Sequence, residues 1–178
     1  MLQVAPDLGI PEVRPAIESI GGRWEQKVSP RRKHSLLQSR LGTWLTLWAG
    51  ERGEVGTEWR FYMLPKGEKP SSLVPDVSYV SFERMPPSFG ELREQPTISP
   101  DIVVEVLSPL DRMKTLQQKL VIYFAHGSRL VIVVDPEKHV VTMHERGGES
   151  RVFGIGDTAV TTAYADLSLD VTALFQRI

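Results

Sequence analysis

Apolar side chains in the first third of the chain recur with a helical period. Five of them fall at spacings of three and four residues and so share one face over three turns: Leu37, Leu41, Trp44, Leu45 and Trp48. Glycines at positions 50 and 53 end the pattern. The stripe predicts an amphipathic helix that begins after Ser29-Pro30 and packs on a sheet.

Shorter segments around this helix show other patterns. Residues 12–20 are expected to form a short helix closed by Gly21-Gly22, and residues 23–28 a strand. Residues 57–64 and 74–82 are predicted strands, and the turn-rich sequence between them favours an antiparallel pair.

Residues 83–100 contain four prolines, which predicts a loop. After it, residues 101–107 are β-branched and apolar almost throughout, a pattern typical of a strand covered on both faces. Ser108-Pro109-Leu110-Asp111 then has the capping serine, the first-turn proline and the acid of a helix start. The helix is expected to reach about residue 126.

Two more strands are predicted at residues 129–134 and 139–144, followed by short strands and a helical turn near residue 174. Strands and helices therefore mix along the chain, which indicates the α/β class. A length of 178 residues fits a single domain spanning 1–178.

Composition excludes several classes of protein. Hydrophobic residues make up 41% and charged residues 24% of the chain, as in ordinary globular domains. No apolar run is long enough for a membrane helix, so no membrane partner is expected. The absence of cysteine excludes disulfides, thiolate metal sites and cysteine nucleophiles. The first residues lack a basic and then apolar segment, so no secretory signal is visible and the cytoplasm is the expected location.

The net charge is −1, but its distribution is uneven. Basic residues concentrate in Arg31-Arg32-Lys33-His34, at the start of the predicted amphipathic helix. Such a cluster attracts a phosphate backbone, although a run of like charge also commonly just faces water. Both interpretations stay open.

Two carboxylates are the main candidates for chemistry. Glu105 lies inside a buried strand, where an ionised side chain costs several kcal/mol unless it is paired or bound to a cation. A structural ion pair with Arg112 or Lys119 is one explanation, and a metal ion is another. Asp76 opens a predicted strand after Pro75. If the two strands are neighbours, both carboxylates can reach one Mg²⁺, which binds oxygen ligands and keeps several waters.

Helical geometry also places a cation nearby. Arg112 and Lys119 lie one heptad apart on the rim of the apolar face of the helix after Glu105. Either can lean toward the sheet edge. A lysine that only covers apolar surface with its stem would have the same spacing.

Together these segments resemble a known family. Pro75-Asp76, then Val103-Val104-Glu105-Val106-Leu107-Ser108-Pro109, a helix with Lys119 and Tyr123, and Val131-Ile132-Val133-Val134-Asp135-Pro136 are similar to the Uma-type endonucleases of the PD-(D/E)XK superfamily. The resemblance covers about residues 25–175. It implies a restriction-endonuclease-like core in which a mixed central β-sheet is flanked by helices.

The resemblance also implies a site. Asp76 and Glu105 would ligate Mg²⁺ or Mn²⁺, with Glu58 (preferred to Glu54) as a third acid, and Asp76, Glu105 and Lys119 would be the catalytic residues. The superfamily's lysine two residues after the second acid is replaced here by Leu107, so Lys119 would supply the ammonium. His34 resembles a histidine common at this place in the family, although a helix-start histidine on a solvated face is the favoured explanation.

The function implied is Mg²⁺-dependent hydrolysis of phosphodiester bonds in DNA, with RNA as the other possible substrate. Arg31, Arg32, Lys33, His34 and Arg112 would bind the nucleic acid, and a homodimer would allow both strands of a duplex to be cut. Two alternatives remain. One is a degenerate nuclease fold that binds nucleic acid or a protein partner. The other is a structural domain in which a fixed ion pair neutralises Glu105.

Overall fold

The computed structural model describes residues 3–65, 67, 69–109 and 113–178 of the chain. Its α-helices are α1 (Arg32–Ala49), α2 (Met113–Ala125) and α3 (Val171–Phe175), and a 3-10 helix spans Pro87–Arg93. The strands are β1 (Ile17–Ile20), β2 (Arg23–Gln26), β3 (Gly53–Thr57), β4 (Phe61–Met63), β5 (Ser71–Leu73), β6 (Val77–Ser81), β7 (Ile102–Val106), β8 (Leu130–Asp135), β9 (Val140–Glu145), β10 (Arg151–Phe153), β11 (Thr158–Val160) and β12 (Ser168–Asp170).

A six-stranded sheet with the order β10-β9-β8-β7-β6-β3 forms the centre of the fold. Strands β7 and β8 are parallel, and every other neighbouring pair in this sheet is antiparallel. The connection between the parallel strands contains α2, as a parallel pair requires a long crossover. The sheet is therefore mixed and flanked by helices, which confirms the expected α/β architecture.

Strand β7 is buried on both faces. Ile102, Val104 and Val106 pack in the core on the α1 side, whereas Val103 packs in a second core on the α2 side. Alternation along the strand puts Glu105 on the same side as Val103. The prediction of a central, doubly covered strand is confirmed, and Glu105 faces α2.

The N-terminal part differs from its prediction. Residues 17–20 form a strand, not a helix, and β1 and β2 make an antiparallel hairpin in a second sheet of order β2-β1-β5-β4. Gly21 and Gly22 have φ values of 58° and 77° and connect the paired residues Ile20 and Arg23. Positive φ at both loop positions is the geometry of a tight hairpin turn, so these glycines turn a hairpin and do not cap a helix.

The predicted strand over residues 57–64 is divided in two. Glu58 has a φ of 54°, which breaks the extended backbone between β3 and β4. As a result β3 pairs with β6 in the central sheet, while β4 pairs with β5 in the second sheet. Both pairs are antiparallel, but only the β3–β6 pair joins the two predicted strands, since β5 lies in the sequence predicted to be a turn. None of the described helices has the length and apolar character needed to cross a membrane.

Candidate active site

Asp76 and Glu105 meet where β6 and β7 run side by side. Val77 pairs with Val104 in antiparallel register, so the same register puts Asp76 opposite Glu105. Residues directly opposed in such a pair project from the same face. The Val106 N–H donates to Asp76 Oδ2 at 2.7 Å. The two acids are only 2% and 7% exposed, so two buried carboxylates lie at one point of the sheet.

Helix α2 brings an ammonium and a hydroxyl to Glu105. Lys119 Nζ lies 2.6 Å from Glu105 Oε1, and the Tyr123 hydroxyl donates to the same oxygen at 2.8 Å. These two side chains lie four residues apart and therefore share one face of the helix. Lys119 Nζ is also 3.2 Å from Glu18 Oε2, and Glu18 Oε1 accepts the Val74 N–H at 2.7 Å. Lys119 is buried against two acids, so it is not a lysine that merely covers apolar surface.

Asp76 has its own cationic partners. Lys27 Nζ lies 2.6 Å from Asp76 Oδ1 and donates to the Val74 carbonyl at 2.9 Å. His34 Nε2 lies 3.2 Å from Asp76 Oδ2. The His34 side chain is only 12% exposed. The expectation of a histidine on a solvated face is therefore wrong.

A single cavity of about 90 Å³ joins these groups. Its walls include both central carboxylates, both lysines, Glu18 and His34, and residues 106–108 at the end of β7. A water occupies roughly 10–15 Å³ by this measure, so the cavity has room for a small hydrated cation. The geometry therefore offers oxygen ligands and ammonium groups around a small polar space.

Three buried carboxylates of this cavity, Asp76, Glu105 and Glu18, share two ammonium groups. Burial raises the pKa of Glu105 to about 7, and the Lys119 ammonium offsets this only in part. Burial alone would also raise the pKa of Asp76, but Lys27 and the hydrogen bond with His34 outweigh it and hold that pKa well below its usual range. Desolvation would lower the pKa of Lys27, yet Asp76 raises it to about 12. Desolvation would also lower the pKa of Lys119, but Glu105 and Glu18 raise it, so both lysines stay charged. Of Asp76 and Glu105, Glu105 takes up a proton more readily.

The Glu58 N–H donates to the Asp76 carbonyl at 3.4 Å, but the Glu58 carboxylate does not line the cavity. Its side chain is 47% exposed and its Oε1 is 3.5 Å from Lys27 Nζ, outside the walls of the cavity. Glu18 is the third buried carboxylate that the fold brings to the site. The Lys27 ammonium contacts both Glu58 and Asp76.

The basic cluster lies at the start of α1. Arg31 and Arg32 are exposed, and Lys33 Nζ pairs with Glu137 Oε1 at 3.1 Å on the surface. His34, one residue further, turns inward to Asp76. The first three side chains therefore face solvent beside the site, whereas His34 belongs to its wall. Arg112, together with the predicted helix start at residues 110–111, lies outside the described residues.

Sequence reasoning missed two groups, Glu18 and Lys27. Glu18 was hidden because residues 12–20 were expected to be helical. Had β1 been recognised as a strand, the polar pair Glu18-Ser19 between two isoleucines would have signalled a buried acid. Lys27 follows β2 directly, and its backbone N–H bonds to the Ala16 carbonyl, which continues the hairpin toward Asp76.

The donor set suits a hard divalent cation. Within the described ranges, no group of three or more His, Asp and Glu side chains is close enough to enclose a metal ion. Mg²⁺, however, is commonly held by one or two carboxylates together with waters and substrate phosphates. Asp76 and Glu105, paired across β6 and β7 and open to the same cavity, fit that requirement.

Comparison with known proteins identifies a family and a similar fold. The family model Uma2, described as "Putative restriction endonuclease", matches residues 8–172. A crystal structure of a putative nuclease belonging to DUF820 from Anabaena variabilis superimposes with a TM-score of 0.83, at 28% identity over 94% of each chain. No curated protein matches the chain.

The structural match confirms the restriction-endonuclease-like core, and both matches support a nuclease function. They also confirm the resemblance to this family that segments of the sequence show. Because the family model spans most of the chain, this protein belongs to the Uma2 family of putative restriction endonucleases.

Proposed function

We propose that this protein is a Mg²⁺- or Mn²⁺-dependent endonuclease that hydrolyses phosphodiester bonds in DNA. The observation that carries the proposal is the convergence of Asp76, Glu105 and Lys119 on one cavity. Phosphodiester hydrolysis requires an activated water and positive charge around the phosphate as negative charge develops. Two carboxylates that can hold a cation, with an ammonium beside them, meet both requirements.

Asp76 and Glu105 would hold the metal. When bound, the ion would supply a water of lowered pKa and neutralise charge on the scissile phosphate. The Tyr123 hydroxyl fixes the orientation of Glu105, as its 2.8 Å hydrogen bond leaves one carboxylate oxygen engaged. The Val106 N–H does the same for Asp76 Oδ2. Both ligands are thus positioned before substrate arrives.

Lys119 takes the place of the superfamily's strand lysine. Leu107 occupies that position and lines the cavity. The ammonium of Lys119 comes from α2 to within 2.6 Å of Glu105, so its position in space makes up for its change in sequence. Lys119 would orient the attacking water and stabilise the charge of the transition state.

The exposed start of α1 supports contact with a nucleic acid. Arg31, Arg32 and Lys33 face solvent beside the cavity, where they can contact phosphates on either side of the scissile bond. A homodimer would present two such sites to the two strands of a duplex.

A nucleic-acid-binding module without catalysis is the second candidate. Two observations favour it: Leu107 replaces the strand lysine, and Lys27 and Lys119 already neutralise much of the acidic charge that would attract a metal. The same ion pairs are what a purely structural domain would show. The endonuclease binds metal in the cavity and cuts DNA, whereas the binding module and the structural domain do not.

The test is cleavage of supercoiled plasmid and of a labelled RNA in Mn²⁺, with Asp76→Asn and Glu105→Gln beside wild type. Glu145→Gln is the matched control, since Glu145 is a hydrogen-bonded acid at the end of β9 and outside the cavity. We expect wild type and the control to cut DNA, and the two cavity variants to lose cleavage. Equal cleavage by all four proteins would overturn the site, and an inert wild type that still binds DNA would favour the binding module.

A further inference from the structure

Of the two carboxylate oxygens of Asp76, Oδ1 is the one that a cation can bind, and the Lys27 ammonium already contacts it. Oδ2 accepts the Val106 N–H at 2.7 Å and faces His34 Nε2 at 3.2 Å. Oδ1 faces Lys27 Nζ at 2.6 Å. A metal that binds Asp76 through Oδ1 therefore needs the space next to this ammonium.

The Lys27 ammonium has a second acidic partner, Glu58, within reach. Glu58 Oε1 lies 3.5 Å from Lys27 Nζ, and its carboxylate is 47% exposed. A lysine stem has four flexible methylenes, so its head can shift by an ångström or two without any movement of the backbone. Glu58 can accept the ammonium when Asp76 releases it.

Charge balance drives this shift. A divalent ion beside Asp76 would repel the neighbouring ammonium, and the repulsion is strong at such distances in a buried site. Lys27 is held by Asp76 and by the Val74 carbonyl, so the ion must replace at least the first of these contacts. In the metal-free protein the same contact spares Asp76 the cost of a buried, uncompensated charge.

We propose that Lys27 is an internal counter-ion that holds Asp76 in the metal-free protein and moves to Glu58 when a divalent cation binds. Lys27 is thus a positioning residue that sets the affinity of the site for metal. This inference rests on the proposed function, because it takes Asp76 as a metal ligand. It also assigns Glu58 a role as acceptor of the displaced ammonium in place of direct ligation.

The experiment is calorimetric titration of Mn²⁺ into wild type, Lys27→Met, Lys27→Gln and Glu58→Gln, with Lys33→Met as the control. Lys33 is a surface lysine paired with Glu137 outside the cavity. Lys27→Gln keeps a polar head that can donate to Asp76, and circular dichroism would check that each variant is folded. The melting temperature of each protein is measured with and without Mn²⁺.

We expect Lys27→Met and Lys27→Gln to bind Mn²⁺ at least about tenfold more tightly than wild type, because a charge-assisted hydrogen bond no longer competes. Glu58→Gln should bind more weakly, and Lys33→Met should match wild type. Without metal both Lys27 variants should melt at a lower temperature, and Mn²⁺ should restore it.

Unchanged or weaker Mn²⁺ binding by both Lys27 variants would overturn the inference, whether or not wild type cuts DNA. A purely structural Lys27 would give that result, since its loss would not improve a metal site. Conversely, tighter binding by these variants with a wild type that never cuts would support the inference and contradict the endonuclease. The two proposals therefore fail separately.

Discussion

At the residue scale, Glu105 is the acid whose environment matters most for metal binding. It lies on a doubly covered strand, receives an ammonium and a phenol hydroxyl, and still keeps a pKa of about 7 because burial dominates. A carboxyl group that titrates near neutral pH can bind a cation in its ionised form and can be neutralised by a proton when no cation is bound. Its ionised form is costly in the metal-free protein, and a divalent ion would remove that cost.

We expect Glu105→Gln to lose Mg²⁺ and Mn²⁺ binding while the protein remains folded. The pKa of Glu105 is raised from its ordinary value of 4.5 to about 7 in the folded protein. As the pH rises from about 4.5 to 7, the unfolded chain loses this proton before the folded protein does, so wild type loses stability progressively. Glutamine lacks this ionisation and leaves two carboxylates with two lysines. The variant should therefore gain stability relative to wild type over that pH range.

Calorimetry and urea unfolding at pH 4.5 and pH 8 check both parts. Asp76→Asn serves as the parallel variant for metal binding. Equal Mn²⁺ affinity of wild type and Glu105→Gln would exclude Glu105 as a ligand.

Lys119→Ala should abolish cleavage but leave metal binding intact, since Lys119 is no ligand. It should also lower the unfolding free energy by about 3–5 kcal/mol, because Glu105 and Glu18 lose a buried partner. Adding Leu107→Lys should restore part of the activity, as positions 105 and 107 project from the same face of the strand. Full recovery is not expected, because the new lysine replaces a packed leucine.

Plasmid cleavage in Mn²⁺ compares wild type, the two single variants and the double variant. Undiminished cleavage by Lys119→Ala would show that the ammonium has no catalytic role. Cleavage by Leu107→Lys alone, beside an inert wild type, would identify a degenerate nuclease.

The sequence predicts Asp76, Glu105 and Lys119 as one group because each stands out locally. Glu105 interrupts an apolar run, Asp76 follows a proline at a strand start, and Lys119 falls on the rim of an amphipathic face. Glu18 gives a signal only once β1 is known to be a strand, and Lys27 gives none. Both reach the cavity through the pairing of β1 with β2 and β5, which is a long-range contact that local patterns do not reveal.

At the scale of elements, the β7–α2–β8 unit is predicted well and the first hairpin poorly. An apolar strand of five residues and a helix of thirteen have enough pattern to identify them. Strand β1 has four residues with two polar members, so its pairing with β2 and β5 decides its structure. The break at Glu58 was equally hidden, because a single residue with positive φ has no periodic signature.

Glu145 links elements in the C-terminal part, away from the cavity. Its carboxylate accepts the Thr162 N–H and the Thr161 hydroxyl at 3.0 Å and pairs with Arg151 at 2.7 Å. The Thr162 hydroxyl donates to its second oxygen. Burial would raise the pKa of Glu145, but the hydrogen bonds from Thr162 and the other contacts lower it to about 2.

We expect Glu145→Gln to destabilise the protein by about 1–2 kcal/mol at pH 7, as charge-assisted hydrogen bonds are replaced by weaker ones. The stability that wild type draws from this group is present above about pH 4.5 and is lost as the pH falls toward 2. The difference between the two proteins should therefore shrink in acid. Thermal unfolding from pH 7 to pH 3 measures it, with the exposed Glu149→Gln as control. A difference that does not change with pH would contradict this explanation.

At the scale of the whole molecule, basic charge is concentrated on the surface beside the site. The chain is almost neutral, yet residues 1–50 carry seven basic and four acidic groups, and the start of α1 concentrates three of the basic ones at the surface. Exposed ion pairs such as that between Lys33 and Glu137 contribute little, so the lysine stays free to exchange partners. A phosphate backbone that approaches the cavity would meet this face.

We expect the combined change of Arg31, Arg32 and Lys33 to glutamine to weaken DNA binding irrespective of base sequence. The slope of log affinity against log salt concentration should fall by up to about three, because each lost phosphate contact releases about one counterion fewer. Fluorescence anisotropy at several salt concentrations measures this, with Arg146→Gln as control. Unchanged affinity and slope would mean that the cluster only faces water.

The central claim is that Asp76 and Glu105 hold one divalent cation. Anomalous diffraction from crystals soaked in Mn²⁺ tests it most directly, because the method locates the ion without any assumption about activity. We predict a peak within about 2.0–2.3 Å of an oxygen of each carboxylate, with Lys27 Nζ moved from Asp76 toward Glu58. Crystals that show no peak at these two carboxylates, with the Lys27 and Lys119 ion pairs unchanged, would contradict it.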